Sequence, residues 1–335
     1  MVTRLALLGA GRIGKVHAGA IASDPRARLV AVADAHAPSA EAIAKTAGDC
    51  EIRTIEEIEQ SDDVDAVLIC TPTNTHAELI ERFARAGKAV FCEKPVDLSI
   101  ERVRDCLKTI AETNATVMLG FNRRFDPHFQ AVRGAIDEGR IGDVEMVTIT
   151  SRDPGAPPPE YITVSGGMFR DMTIHDFDMA RYLLGEEIDS VMASASVLVD
   201  PKIGELGDFD SASVILTTAS GKQCVISNSR RASYGYDQRI EVHGSLGAVS
   251  AENQRPVSIE VATKTGYNRP ALHDFFMTRY TQAYAAEIAA FIDALDNKTP
   301  ASPSAQDGLM ALALAEAALK SVHEKRAVKL SEITA

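Results

Sequence analysis

Six residues near the start of the chain, Gly9-Ala10-Gly11-Arg12-Ile13-Gly14, restrict its fold more than any other segment. The spacing G-x-G-x-x-G alone also occurs in ordinary turns. Here it follows the apolar run Arg4–Leu8 and opens a stretch of helical apolar spacing, Ile13–Ser23. A second apolar run, Leu29–Ala33, then ends at Asp34, twenty residues beyond Gly14. Strand, glycine turn, helix and a second strand closed by an acid form the fingerprint of a dinucleotide-binding unit. Gly9 permits the tight turn, Gly11 lets a pyrophosphate approach the backbone, and Gly14 lets helix and strand pack closely. The helix start offers free N–H donors and a partial positive charge to phosphates. Asp34 is suited to accept from the ribose hydroxyls and to repel a 2′-phosphate, which predicts NAD rather than NADP. A solvated strand-end aspartate is the plainer alternative, and Arg12 beside the loop can soften the preference by meeting a phosphate.

The alternation continues for about 120 residues. Ala66–Cys70, Ala89–Cys92 and Thr116–Leu119 read as further buried strands, and Ser39–Ala47, His76–Ala86 and Ile100–Thr113 as helices. Strands that are apolar throughout, separated by helices, predict a doubly wound parallel sheet with both faces covered. After about residue 121 the pattern changes. One helix, Ile174–Leu184, precedes strand candidates at Ser190–Val199, Ser211–Thr218, Gln223–Ser229, Arg239–His243 and Ser258–Thr263, punctuated by turns such as Ser220-Gly221 and Gly244-Ser245. Helices at Tyr280–Asp296 and Ala305–Glu324 close the chain. The expected division is therefore an α/β dinucleotide-binding domain over residues 1–121 and an α+β domain over 122–335. The second domain carries a large, mostly antiparallel, open-faced sheet. The proline-rich Asp153–Pro159 is expected to be a stiff loop.

Composition excludes several classes. A length of 335 residues suits two domains, and an apolar content of 45% gives ample material for their cores. The net charge of −12 argues against a nucleic-acid partner, which needs a basic patch. No apolar run approaches the roughly 18 residues of a membrane span. The apolar start runs straight into the glycine motif, so it is not read as a secretion signal, and a cytoplasmic protein is expected. Cys50, Cys70, Cys92, Cys106 and Cys224 are scattered without metal-ligand spacing, which predicts core thiols and no bound metal.

Two further segments carry a family likeness. Thr71-Pro72-Thr73-Asn74-Thr75-His76 follows the strand ending at Cys70, and Glu93-Lys94-Pro95 follows the strand ending at Cys92. With the glycine loop, these resemble the glucose–fructose oxidoreductase/inositol dehydrogenase/rhizopine-catabolism family. The likeness runs nearly end to end. Phe169–Gly185 and Arg231-Ala-Ser-Tyr234-Gly-Tyr236-Asp-Gln resemble its inositol-dehydrogenase branch. The resemblance implies a Rossmann domain that binds NAD and oxidation of a cyclic polyol, with myo-inositol as the leading substrate. It also implies a homotetramer built through the open sheet face and a Lys94–Pro95 bond that is cis. Scyllo-inositol or an aldose is the alternative substrate. A nucleotide-sensing regulator without turnover is a further alternative.

By the resemblance, Lys94, Asp171 and His175 map onto the family's catalytic trio. Independently, residues at the C-terminal ends of parallel strands face the ligand crevice, so the Lys94 ammonium is placed to stabilise a developing alkoxide. His175 follows Thr173, a candidate helix cap with Asp176 three residues on, and lies off the apolar stripe Ile174, Phe177, Ala180, Leu184. An imidazole there suits a general base. Asp171 can orient that imidazole, bind a substrate hydroxyl or simply cap a turn. Cofactor contacts are expected from Gly9, Gly11, Arg12, Ile13, Gly14, Asp34, Thr71, Pro72, Asn74, Glu93 and Lys94. His76 either meets the cofactor or caps its helix, and His17 is read as structural. Substrate contacts by resemblance are Lys94, Asn122, Arg123, Asp153, Asp171, Thr173, His175, Tyr234 and Tyr236, although the tyrosines could equally pack across the sheet.

Overall fold

A computed structural model describes residues 2–335. By its internal contacts the chain divides into two compact units. The first comprises the chain up to Phe125 together with Thr281–Leu312; the second comprises Asp126–Tyr280 and Ala313–Ala335.

The first unit holds six strands: β1 (Thr3–Leu8), β2 (Ala27–Ala33), β3 (Glu51–Ile52), β4 (Ala66–Ile69), β5 (Ala89–Glu93) and β6 (Val117–Gly120). They form one parallel sheet in the order β3-β2-β1-β4-β5-β6. Every residue of β4 and β6 is buried, as a strand covered on both faces requires. Between the strands run α1 (Arg12–Ser23), α2 (Ala37–Ala47), α3 (Ile55–Gln60), α4 (His76–Arg85) and α5 (Ile100–Thr113). Local chemistry sets their ends. Thr54 and Glu57 form a reciprocal capping box on α3, and Ser99 caps α5, which Asn114 closes in the left-handed conformation. The strand order reverses between β1 and β4, so the loops leaving those two strands flank the crevice where this architecture binds ligands.

The boundary expected at 121/122 falls close to the observed change after Phe125, but the last part of the expected second domain does not follow it. Helix Thr281–Asn297 buries Tyr284, Ile288, Phe291 and Ile292 within the first unit. Phe291 meets Phe91 of β5 edge-on at 5.9 Å. Farther on, Leu119 of β6 donates its N–H to the Pro303 carbonyl at 2.9 Å. The apolar stripe of this helix is covered mainly by α1 and by the turn after β6, so the first unit is discontinuous in sequence.

The second unit opens with α6 (Pro127–Asp137), β7 (Val144–Arg152), α7 (Pro159–Ser165), α8 (Met168–Asp171) and α9 (Ile174–Leu184). Then follow β8 (Ile188–Ser196), α10 (Pro201–Glu205), β9 (Ser211–Thr218), β10 (Gln223–Ser229), β11 (Asp237–Gly244) and β12 (Gly247–Ala251). With a short terminal strand, Val328–Lys329, these make a seven-stranded sheet. All its pairings are antiparallel except that of β7 with β10. Burial alternates along the strands; in β9 the side chains of Ala212, Val214, Leu216 and Thr218 are buried. The opposite face is open, with Met146, Met192 and Ile215 each more than two-fifths exposed. The strand expected at Ser258–Thr263 is shorter, Val261–Thr263, and pairs with Gly266–Asn268 in a separate, fully exposed ribbon. Among the described residues, no helix is long and apolar enough to cross a membrane.

Candidate active site

The glycine loop is built as its spacing predicts. Gly9 has φ +96°, and a Cβ there would stand 2.5 Å from the Cys70 carbonyl oxygen, so only glycine fits. A Cβ at Gly14 would meet the Gly9 carbonyl oxygen at 2.0 Å, which explains the close helix–strand packing. At Gly11 a Cβ would meet nothing within 4 Å. The space above that backbone is thus open to a ligand, and the start of α1 has no side-chain cap to occupy its N–H groups. The residues fit a dinucleotide pyrophosphate at this point. Arg12 is exposed and Ile13 half-buried on the first turn of the helix.

Asp34 ties the loop together. Ala10 donates its N–H to Oδ2 at 2.5 Å and His36 donates to Oδ1 at 2.7 Å. Each carboxylate oxygen keeps further acceptor capacity, so the ribose role expected of Asp34 is compatible with this use.

The second loop lies at the end of β4. The hydroxyls of Thr71 and Thr75 are 2.7 Å apart, Pro72 and Asn74 are exposed, and residues 73–75 form one 3₁₀ turn. His76 does not cap its helix, since it is the first residue of α4 and Thr75 holds the cap position. It is buried, with Nδ1 2.7 Å from the Pro95 carbonyl and Nε2 2.8 Å from the Thr71 carbonyl. It therefore joins the β4 and β5 loops. Burial lowers its pKa against the two carbonyls that raise it, and a neutral ring can donate to only one of them at a time. Glu93 and Lys94 are both half-buried at the end of β5, and the Lys94–Pro95 bond is cis. Asn122 and Arg123 follow β6 in a 3₁₀ turn and are buried.

In the second unit the helical hairpin α8–α9 carries Asp171 and His175. Asp171 is half-buried and accepts from the Tyr161 hydroxyl at 2.8 Å. Asp208 accepts from the Met168 N–H at 2.9 Å and from Arg230 at 3.1 Å, which fixes the start of α8. His175 is half-buried and sits off the core face, as its helical position predicts.

The cap expected at Thr173 is not formed. The turn before α9 is already helical, so Thr173 takes αR angles and makes no side-chain cap bond. Instead its hydroxyl donates to Asn228 Oδ1 at 2.9 Å, and Asn228 Nδ2 donates to Asp176 at 2.8 Å. All three side chains are buried, so β10 pins the helix turn that carries His175. Asn228 escaped the sequence reading. Its one sequence signal is an amide on the inward face of an alternating strand.

Tyr234 and Tyr236 part company. Tyr234 is exposed, donates its hydroxyl to Asp237 at 2.5 Å and accepts from Arg152 at 3.1 Å. Burial pushes Asp237 up, but Arg239, Tyr234 and Asn253 outweigh it and hold the carboxyl below its ordinary value. Tyr236 lies just before β11 and is buried against Phe275 and Tyr280, which flank the short helix 276–279, so it is a core ring that does not pack across the sheet. Asp153 is half-buried beyond β7, its N–H donated to the Ser229 carbonyl at 2.9 Å. All five cysteines are free and buried. Burial holds the Cys70 and Cys92 thiols well above their ordinary range, so they are not nucleophiles.

Two family models match the chain. One, an oxidoreductase family with an NAD-binding Rossmann fold, covers residues 3–121. The other, the GFO/IDH/MocA C-terminal domain, covers residues 129–250. An inositol 2-dehydrogenase of Rhizobium meliloti (strain 1021) is 70% identical over 331 residues, which span 99% of this chain and the whole of that protein. A myo-inositol 2-dehydrogenase of Thermotoga maritima is 44% identical, over 98% of this chain and 99% of that one. The crystal structure of scyllo-inositol dehydrogenase from Lactobacillus casei with bound NAD(H) and scyllo-inositol superposes with a TM-score of 0.92 at 29% identity. That match covers 99% of this chain and all of the other.

Proposed function

The chain belongs to the GFO/IDH/MocA oxidoreductase family, and from that premise we propose that it oxidises myo-inositol to 2-keto-myo-inositol with NAD. The observation that carries this reading is the collinear match, at 70% identity, to an inositol 2-dehydrogenase along essentially its whole length. The open backbone at Gly11 and the Asp34-tied loop supply the nucleotide half of the chemistry. A scyllo-inositol substrate is the second reading, favoured by the 38% identity to a scyllo-inositol 2-dehydrogenase of Bacillus subtilis.

In this proposal Gly9, Gly11, Arg12, Ile13 and Gly14 hold the pyrophosphate, and Asp34 holds the adenosine ribose. Thr71, Pro72, Asn74, Glu93 and Lys94 contact the rest of the cofactor, with His76 joining their two loops. When bound, the nicotinamide accepts hydride from the substrate carbinol. Lys94 stabilises the oxygen as negative charge develops on it. His175 takes the hydroxyl proton, and Asp171 fixes its orientation or binds a neighbouring hydroxyl. Asn122, Arg123, Asp153, Thr173, Tyr234 and Tyr236 complete the substrate contacts. Thr173 and Tyr236 serve through packing as much as through contact, since both are buried and otherwise engaged. Hydroxyl-reading groups of this kind discriminate ring stereochemistry far better than an apolar pocket does.

The open face of the seven-stranded sheet supports a homotetramer, because Met146, Met192 and Ile215 on a sheet surface want a partner. A cytoplasmic setting accords with five free thiols. The test of function is NAD reduction at 340 nm against myo-inositol, scyllo-inositol and a set of aldoses. Turnover of myo-inositol at the highest kcat/KM is expected. Preference for an aldose, or no turnover of any, would overturn the proposal.

A further inference from the structure

Next to the Glu-Lys-Pro turn, the first unit gathers three ionisable side chains, of which His17 and Glu287 have no part in the proposed mechanism. His17 comes from α1, Glu93 from the end of β5, and Glu287 from helix Thr281–Asn297. One donor atom from each lies within 4.8 Å of the other two. His17 and Glu287 are fully buried. His17 Nε2 stands 2.6 Å from Glu93 Oε1, while His17 Nδ1 and both oxygens of Glu287 have no hydrogen-bond partner. The imidazole is wedged edge-on between Phe91 at 5.1 Å and Tyr284 at 5.5 Å. Gly120 makes room for the Glu93 carboxyl, since a Cβ there would approach it to 3.2 Å.

Two chemistries suit a His-Glu-Glu set. A tetrahedral zinc ion holds its donors about 2.0–2.2 Å away and hence roughly 3.3 Å or more from one another. The 2.6 Å separation of His17 and Glu93 is too short for that and fits a charge-assisted hydrogen bond. We propose that His17, Glu93 and Glu287 form one proton-sharing unit with a net charge of minus one, which fixes Glu93 as an anion and thereby positions Lys94. His17 donates its Nε2 proton to the Glu93 carboxylate, and Glu287 keeps its own proton as a neutral acid.

The surroundings agree. A second buried anion within 4.8 Å of Glu93 would be repelled by it. Around Glu287 stand Glu93 from β5, Cys70 from the end of β4 and His17 from α1. The 3₁₀ turn that packs on the same helix brings Arg123 and Arg124, the latter engaged with Asp307; neither bonds Glu287. Burial first, then the charge of Glu93, pushes the Glu287 carboxyl well up. The three residues also join the helix of the glycine loop, the strand that leads to Lys94 and the returning helix.

The assignment of Lys94 as the position to be served rests on the proposed function; the proton count does not. In the intact protein near pH 7, infrared difference spectra of wild type against Glu287→Gln should show a buried carboxylic C=O stretch present only in wild type. Should Glu287→Gln not fold, the wild-type spectrum titrated upward in pH reads the same band, which then converts to carboxylate. A spectrum showing only carboxylate near pH 7 overturns the proposal. Stability gives a second measure. A folded-state pKa above the unfolded one contributes stability that is complete below the ordinary carboxyl range and is lost as pH rises through the folded value. The Tm of Glu287→Gln relative to wild type should therefore climb as pH rises from about 4.5, and a flat difference overturns the neutral acid. For the positioning role, Glu93→Gln should move the pH limb of kcat by more than about half a unit while KM for myo-inositol changes less than about threefold, with Glu93→Asp restoring the limb. An unmoved limb overturns it. Full turnover in Lys94→Ala would remove the lysine reading, while the infrared band would still decide the proton-sharing unit.

Discussion

The two sheets of this protein solve the burial problem in opposite ways. In the six-stranded parallel sheet, β4 and β6 are buried along their whole length, and polar chemistry appears only where strands end: Asp34 just past β2, Thr71 past β4, and Glu93 and Lys94 at the end of β5. In the central strands β9 and β10 of the seven-stranded sheet every second side chain faces outward, and polar groups such as Asn228 and Asp237 sit within the strands themselves. A strand enclosed on both sides has no side chain to spare for a ligand, so its chemistry is confined to the rim. A strand with one free face can hold polar networks along its length and still offer a surface for association.

The contrast can be broken by mutation. If the rim of the parallel sheet carries the chemistry, Lys94→Ala should lower kcat by about 10³-fold or more, because a positioned charge on the developing oxyanion is lost. NADH binding followed by fluorescence should change little. Loss of binding in parallel with turnover would make Lys94 a cofactor anchor instead. His175→Ala should cost about 10²–10⁴-fold. It should also erase the rise of activity with pH across the range in which imidazole loses its proton, and a retained limb would clear His175 of the base role. Asp34→Ala should lower the NAD-over-NADP ratio by about tenfold, equal to about 1.4 kcal/mol of discrimination. An unchanged ratio would leave Asp34 only its two backbone bonds. The smallest effect sharpens the comparison from the other side. Ile215→Lys on the open face should alter monomer stability by no more than about 0.5 kcal/mol, as for exposed positions generally, while light scattering reports a smaller assembly. An unchanged mass would show that this face is not the interface.

Much of this was readable from residues, and the failures have physical causes. The runs Ile100–Thr113, Ile174–Leu184, Ser211–Thr218 and Gln223–Ser229 form the elements expected of them, because their periodicity is clean, with Ser99 starting the first helix and Gly185 stopping the second. Strand β7 escaped detection because Glu145 and Met146 are both exposed in succession. That break in the two-residue period lies where β11 carries a register shift at His243/Gly244. Strand β3 is two exposed residues and leaves no apolar trace. Helix α6 did leave a signal, an Asp126 cap accepting from two backbone N–H groups with Pro127 at the first position. It went unread beside the stronger motif at Asn122–Arg123. Within the site, the glycine loop and the Lys94 turn were legible because backbone geometry dictates their residue types. Asn228, Asp208 and Glu287 were not, because their partners are distant in sequence. Glu287 did carry a clue: it is a charged residue on the buried stripe formed by Ala283, Tyr284, Ile288 and Phe291.

The discontinuity of the first unit has a bearing on how the molecule comes into being. The rings that close around His17 and Phe91, those of Tyr284 and Phe291, are encoded after the entire seven-stranded sheet except its short final strand. During synthesis the nucleotide-binding half emerges first and waits, its flank uncovered, until the ribosome has delivered some 160 further residues. A chain stopped before Thr281 would keep the glycine loop in its sequence yet lack the wall against which the first helix rests.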